Sequence, residues 1–357
     1  IGLMGSTGIP PTEDQPSPAP RLHFELWSAD GKRYLGKDRT PLAAHRLVAS
    51  LFSPDALPRY AREVVSAVDN GEPWPEPYPP KELPETGFTA TPPAEVTAGQ
   101  AFATPITWED DDFHIDDFFA QLEGQPLGIL DAGDGAWIIG GIPMETGGQE
   151  FRMTIGAVNA YGQTLAGERT IQSSPPDDAP LPAEVGLATF ELYSEENLEV
   201  EAKHLGPVIL QSLGLVEPHW TRPFRPPLEG DVVGLYGQRI FNGMLRPAHP
   251  RPGIWIRPEA PEEIVASNAG IVALAEDLPI RGKTVAIIHG GGITSVYSQL
   301  DRLTVDKGEK VVHGQALGII ERQNPGPNGA IRWEIYAGGF PVEPTSWLGQ
   351  MLPERNP

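Results

Sequence analysis

The chain has 357 residues, with 40 prolines, 40 glycines, no cysteine and a formal charge of -22. The length suits two or three domains, and so many turn formers favour short strands over long helices. The charge argues against nucleic-acid and anionic-membrane partners, the missing thiols exclude disulfides and thiolate metal sites, and no apolar run is long enough for a transmembrane segment.

Residues 1–20 are rich in Pro, Gly, Ser and Thr and read as a flexible tail. A start at Ile1 suggests a processed or trimmed N-terminus from which an export signal has been removed. Residues 21–71 predict a small α+β unit. Leu22 to Trp27 and Arg33 to Leu35 flank an Asp30-Gly31 turn, and Thr40-Pro41 and Ser53-Pro54 each open a helix. Residues 72–86, with proline at nearly every second or third position, read as a stiff spacer.

From 87 to 173, short alternating segments recur at sandwich spacing, which predicts an Ig-like β-sandwich. Six carboxylates between Glu109 and Asp117 interrupt it. They lack the spacing that folds a loop around Ca²⁺, so a solvated acidic loop anchored by Phe113, Phe118 and Phe119 is expected. A linker at 174–184 and a connecting segment at 185–219 follow. In the latter, Leu187 to Tyr193 predicts a strand, and the helical periodicity of Leu198 to Leu215 is broken at Gly206-Pro207.

Residues 220–350 form the last region. Ile264, Ile271, Val272, Val285, Ile287, Ile288, Val296, Val311, Leu317, Ile319, Ile331 and Ile335 predict the apolar core of a twisted antiparallel sheet. In consecutive order, Ile264 to Val272, Gly282 to Gly290, Thr294 to Leu300, Val305 to Gly308, Val311 to Gly318, Trp333-Glu334-Ile335 and Pro341 to Pro344 resemble the core strands of lysostaphin-type (LytM-type) zinc peptidases. Trp220, Arg222-Pro223-Phe224, Tyr236-Gly237 and Phe241-Asn242-Gly243 resemble the segment that leads into that domain. The fold class expected is mainly β: a C-terminal lysostaphin-like antiparallel sheet of the duplicated hybrid motif kind, a central Ig-like sandwich and a small N-terminal α+β unit.

Active members of that family hold zinc with the His and Asp of a His-x-Gly-x-Asp segment and one His of a His-x-His pair. The other His of the pair, with one from a Tyr-x-His-Leu segment, polarises the attacking water. With Gly253 in the first segment, the resemblance puts Arg251 at the His position and Trp255 at the Asp position. Gln299 stands at the Tyr-x-His-Leu position, and Ala330 and Arg332 replace the His pair. Zinc needs imidazole, thiolate or carboxylate donors, and a guanidinium has no lone pair to give. No catalytic residue and no cofactor are therefore expected. His249, two residues before Arg251, is the one route back to zinc, helped by His289 or His313; otherwise His289 is a structural strand-end residue and His313 a solvated one.

The same replacements suggest a different site. Arg251, Trp255, Gln299 and Arg332 either line a groove that binds a peptide or an acidic partner segment, or plug the old pocket with an internal acid such as Glu334. The resemblance implies a non-catalytic, extracytoplasmic envelope protein, acting as a scaffold or as a regulator of peptidoglycan hydrolysis. Its expected partner is another envelope protein or a peptidoglycan peptide, within a larger assembly. The alternatives are a zinc endopeptidase with rewired ligands and a peptidoglycan-binding module.

Overall fold

The computed structural model describes residues 88–107, 115–131, 135–159, 164–176, 180–220, 222–242, 251–321 and 329–348. Residues 1–20, the hairpin and helices expected at 21–71, the expected spacer, most of the acidic run and His249 lie outside them. Among the described residues, 88, 115–119, 155–159 and 164–167 belong to one compact unit and the others to a second.

The architecture is mainly β, as the sequence pattern predicts. Ten strands come first: β1 (Thr89–Ala90), β2 (Glu95–Thr97), β3 (Ala101–Thr107), β4 (Ile115–Leu122), β5 (Gln125–Pro126), β6 (Gly128–Asp131), β7 (Gly135–Gly141), β8 (Glu150–Asn159), β9 (Thr164–Ser174) and β10 (Ala183–Glu184). They give a four-stranded sheet, β1-β3-β7-β6, and a five-stranded sheet, β2-β9-β8-β4-β5. On β3, Phe102, Thr104 and Ile106 are buried while their neighbours are not, the period of two that a one-sided sheet imposes. In the smaller unit, Phe119 packs on Val158.

The acidic run differs from expectation, because Ile115 onward is strand β4 rather than loop. Glu123 (φ 48°) and Gly124 (φ 78°) turn β4 back into β5, and this two-residue left-handed turn fixes the hairpin despite the carboxylates before it.

Two helices follow, α1 (Leu187–Glu191) and α2 (Glu195–Leu213). The strand predicted at Leu187 to Tyr193 is thus corrected. A short apolar run fits either period, and here the backbone bonds locally, Phe190 N donating to Gly186 O at 3.1 Å. The break expected at Gly206-Pro207 is also absent, since α2 runs through both residues. Ser194 caps it, accepting from Asn197 N at 3.3 Å, and Glu195 and Glu196 complement the dipole. Its buried residues Glu201, Leu205, Val208 and Ser212 fall at helical spacing on one face. That packing, about 1.5–3 kcal/mol for each large apolar side chain, offsets the proline penalty of about 3 kcal/mol.

The remaining strands are β11 (Asp231–Gly234), β12 (Ile240–Phe241), β13 (Ile254–Arg257), β14 (Glu262–Val265), β15 (Gly270–Leu278), β16 (Gly282–Gly290), β17 (Ile293–Leu300), β18 (Arg302–Leu303), β19 (Lys310–Val311), β20 (Ala316–Ile320), β21 (Ile331–Ala337) and β22 (Phe340–Val342). The main sheet runs β11-β13-β21-β17-β16-β15-β19, with β22 also pairing β21, and β14-β20-β18 form a small second sheet.

Strand β21 shows why this region does not simply alternate apolar and polar: all seven of its residues are buried. Ile331, Trp333, Ile335 and Ala337 join the large core with Val272, Val285, Ile287 and Leu317. Arg332, Glu334 and Tyr336 take the opposite face, where Tyr336, Ile288 and Val296 pack beneath Leu205 and Val208 of α2. The single core read from the sequence is therefore two layers, one on each side of the sheet. Ile271 and Ile319, placed in that core by pattern, are only half-buried.

Phe224 ties the lead-in segment to this core by edge contacts with Trp220, His289 and Trp347, at 5.8, 4.9 and 6.1 Å between ring centres. The β6–β7 region packs directly on the sheet's β16–β17 turn. A side chain at Gly128 would meet Gly291 O at 2.0 Å, so only glycine fits there.

Candidate functional site

The sequence-predicted positions converge on the face of the main sheet that carries α2. Antiparallel register sets Trp255 of β13 opposite Arg332 of β21, and Arg332 opposite Ser298 of β17. The three side chains thus form one row across neighbouring strands. Arg251 enters from the turn before β13, which needs Gly253 at φ 96° because a Cβ there would lie 2.3 Å from Trp333 O. Its Cζ stands 5.2 Å from the Trp255 ring centre, and that of Arg332 stands at 5.8 Å, so both cations contact one indole.

These groups are buried rather than open to solvent: Arg251 is 5% exposed, Trp255 4%, Arg332 2% and Ala330 0%. Gln299 leaves β17 with φ 66°, and its Nε2 donates to Ile280 O at 3.0 Å. Glu334, the internal acid anticipated from the sequence, lies with Oε1 2.7 Å from Arg332 Nε, at ion-pair distance but off the line of a hydrogen bond. Its better-aligned partners are Arg281, whose Nε and Nη2 donate at 3.1 and 3.0 Å, and the Tyr336 hydroxyl at 2.9 Å.

Arg281 also pairs with Glu201 of α2, whose Oε1 accepts from Ile280 N and Arg281 N at 2.7 Å each. Burial alone would raise the Glu334 carboxyl; Arg281 and then Arg332 override it and hold the group below the usual carboxylate range.

Arg251 has no carboxylate within ion-pair distance among the described residues. Burial, the largest influence, lowers its pKa; Tyr193 beside it opposes this, and the like charge of Arg332 lowers it further. Tyr193, Glu201, Arg281 and Ser298 are the neighbours that sequence reading missed. Ser298 alone had a signal, adjoining the degenerate Tyr-x-His position.

This donor set does not fit zinc. The positions the resemblance assigns supply two guanidiniums, an indole, an amide and a methyl group. No group of three or more His, Cys, Asp or Glu among the described residues is placed to hold a metal. His289 is fully buried elsewhere, its Nδ1 donating to Ala269 O at 2.7 Å and its Nε2 accepting from Ser295 Oγ at 2.7 Å, so its lone pair is used internally. His313 is half-exposed in the turn between β19 and β20.

Residues 249–344 match Peptidase family M23. This part of the chain is a Peptidase family M23 domain. The murein hydrolase activator EnvC of Escherichia coli is 29% identical over 124 residues, which cover 35% of this chain and 28% of that protein. Stage II sporulation protein Q of Bacillus subtilis is 27% identical over 88 residues, 24% of this chain and 31% of that protein. The chain thus spans less than a third of these curated relatives. A crystal structure of a putative M23 peptidase from Pseudomonas aeruginosa matches with TM-score 0.44 at 19% identity, covering 72% of this chain and 96% of that one. Among the described residues, no helix is long and apolar enough to cross a membrane.

Proposed function

We propose that this chain is a non-catalytic M23-type protein of the cell envelope, acting outside the cytoplasm as a protein-binding scaffold or a regulator of peptidoglycan hydrolysis. The observation that carries the reading is the inverted charge of the centre. Arg251 and Arg332 stand at two positions where the resemblance expects zinc-site imidazoles, and Trp255 stands where it expects a carboxylate. A pair of fixed cations repels a dication and offers no general base to a water molecule. One relative supports a regulatory role by its name, the murein hydrolase activator EnvC.

The test is elemental analysis of the purified chain together with a peptidoglycan-hydrolysis assay on the same sample. Less than a tenth of an equivalent of zinc and no turnover are expected. About one equivalent with turnover would overturn the proposal and point to a rewired site that includes His249. Sedimentation with purified sacculi separates a peptidoglycan-binding module from a protein-binding scaffold.

A further inference from the structure

The guanidinium cluster has more buried donors than acceptors. Among the described residues, Nε and Nη2 of Arg251, Nη2 of Arg332, Nε1 of Trp255 and Oγ of Ser298 are buried without a hydrogen-bond partner, and Nε of Arg332 has only its misaligned ion pair. They share one patch, because Trp255, Arg332 and Ser298 form a single cross-strand row and Arg251 lies against Trp255.

Charge is unbalanced in the same sense. Among the described residues, three buried arginines, 251, 281 and 332, face two buried carboxylates, Glu201 and Glu334. Arg281 takes Glu201 and the well-aligned bonds of Glu334. A buried cation without its acceptor is costly, as is each buried donor left unmade.

We infer that the Arg251–Trp255–Arg332–Ser298 row is a carboxylate-binding site, taking the terminal or side-chain carboxyl group of a peptide. The inference rests on the non-catalytic reading above and gives that site its ligand chemistry. Guanidinium forks accept a carboxylate through paired charge-assisted bonds, and two forks beside an indole N–H and a hydroxyl supply donors for both of its oxygens. The scaffold would then recognise an acidic chain end or side chain at the place where the family's enzymes cut.

The experiment is thermal unfolding of the full chain in increasing sodium acetate, and separately in an acidic tripeptide, with chloride replaced to hold ionic strength constant. Direct binding of the same ligands is followed by calorimetry. Arg251→Met removes the guanidinium that has no carboxylate partner, and Arg251→Lys keeps the charge but loses the fork. Wild-type protein is expected to bind carboxylate and to gain midpoint temperature with its logarithm. Arg251→Met is expected to weaken binding roughly tenfold or more, with Arg251→Lys between the two.

Tighter binding of the tripeptide than of acetate identifies a peptide carboxyl as the ligand, whereas equal binding assigns a free small carboxylate. No binding to wild type, or equal binding to wild type and Arg251→Met, would overturn the inference. A zinc-free, inactive protein with no carboxylate response defeats only this inference. Stoichiometric zinc with turnover defeats the reading beneath it.

Discussion

Two buried polar clusters sit in the same sheet, and they are built on opposite principles. Both His289 ring nitrogens have partners, and so do the hydroxyls that continue from them: Ala269 O takes the Nδ1 proton, Ser295 Oγ meets Nε2, Tyr297 Oη lies 2.9 Å from Ser295 Oγ, and Ser267 N donates to Tyr297 Oη at 2.7 Å. Around Trp255 the donors outnumber the acceptors. A closed network holds a strand end and the segment before β15 in place and leaves nothing to offer a ligand. An open one stores unmet bonding capacity at the positions that the resemblance assigns to the family's reaction centre. Burial and polarity are alike in the two; the balance of donors and acceptors separates them.

Glu334 gives the largest handle on this contrast, because among the described residues it is the only carboxylate at ion-pair distance from Arg332 and shares Arg281 with Glu201. Glu334→Gln leaves two buried guanidiniums short of charge and is expected to cost about 3–5 kcal/mol in urea denaturation. A loss under 1 kcal/mol would mean that the cations are already neutralised elsewhere.

The closed cluster should reveal itself by pH. Burial lowers the His289 pKa from 6.5 to about 4, so the folded state refuses a proton that the unfolded chain accepts. This contribution is complete above pH 6.5 and is lost as pH falls towards 4, on the order of 3 kcal/mol in all. Stability measured across that window should slope in wild type and flatten in His289→Gln.

Ser295→Ala should cost less, about 1–3 kcal/mol, by stranding the His289 lone pair and a hydrogen-bond partner of Tyr297. At the small end, Arg251→Met in carboxylate-free buffer should change stability by less than about 1 kcal/mol or raise it, since it removes a charge without a carboxylate partner. A large loss from that substitution would make the two clusters equivalent and the contrast empty.

Much of the site's composition was legible in the chain. Gly253 and the Tyr-x-Gln-Leu run set the register of the resemblance, so the sequence alone points to Arg251, Trp255, Gln299, Ala330 and Arg332. Their burial was not legible, because it depends on packing between segments far apart in the chain, and neither was the length of α2, whose Pro207 reads as a break when the sheet beneath the helix is unknown. The Arg281 bridge was equally hidden, since Glu201 and Glu334 are separated from it by 80 and 53 positions.

The sequence by itself determined the β-rich fold class, the run of core segments from Ile264 to Pro344 and which side chains stand at the positions the resemblance assigns to zinc donors, because periodicity, turn glycines and side-chain chemistry are local properties. Only the tertiary structure decided that both faces of β21 are buried, that α2 covers the sheet at Tyr336, Ile288 and Val296, and which cations find a carboxylate. Those outcomes depend on packing between distant segments, and so does the difference between the satisfied histidine and the unsatisfied arginines.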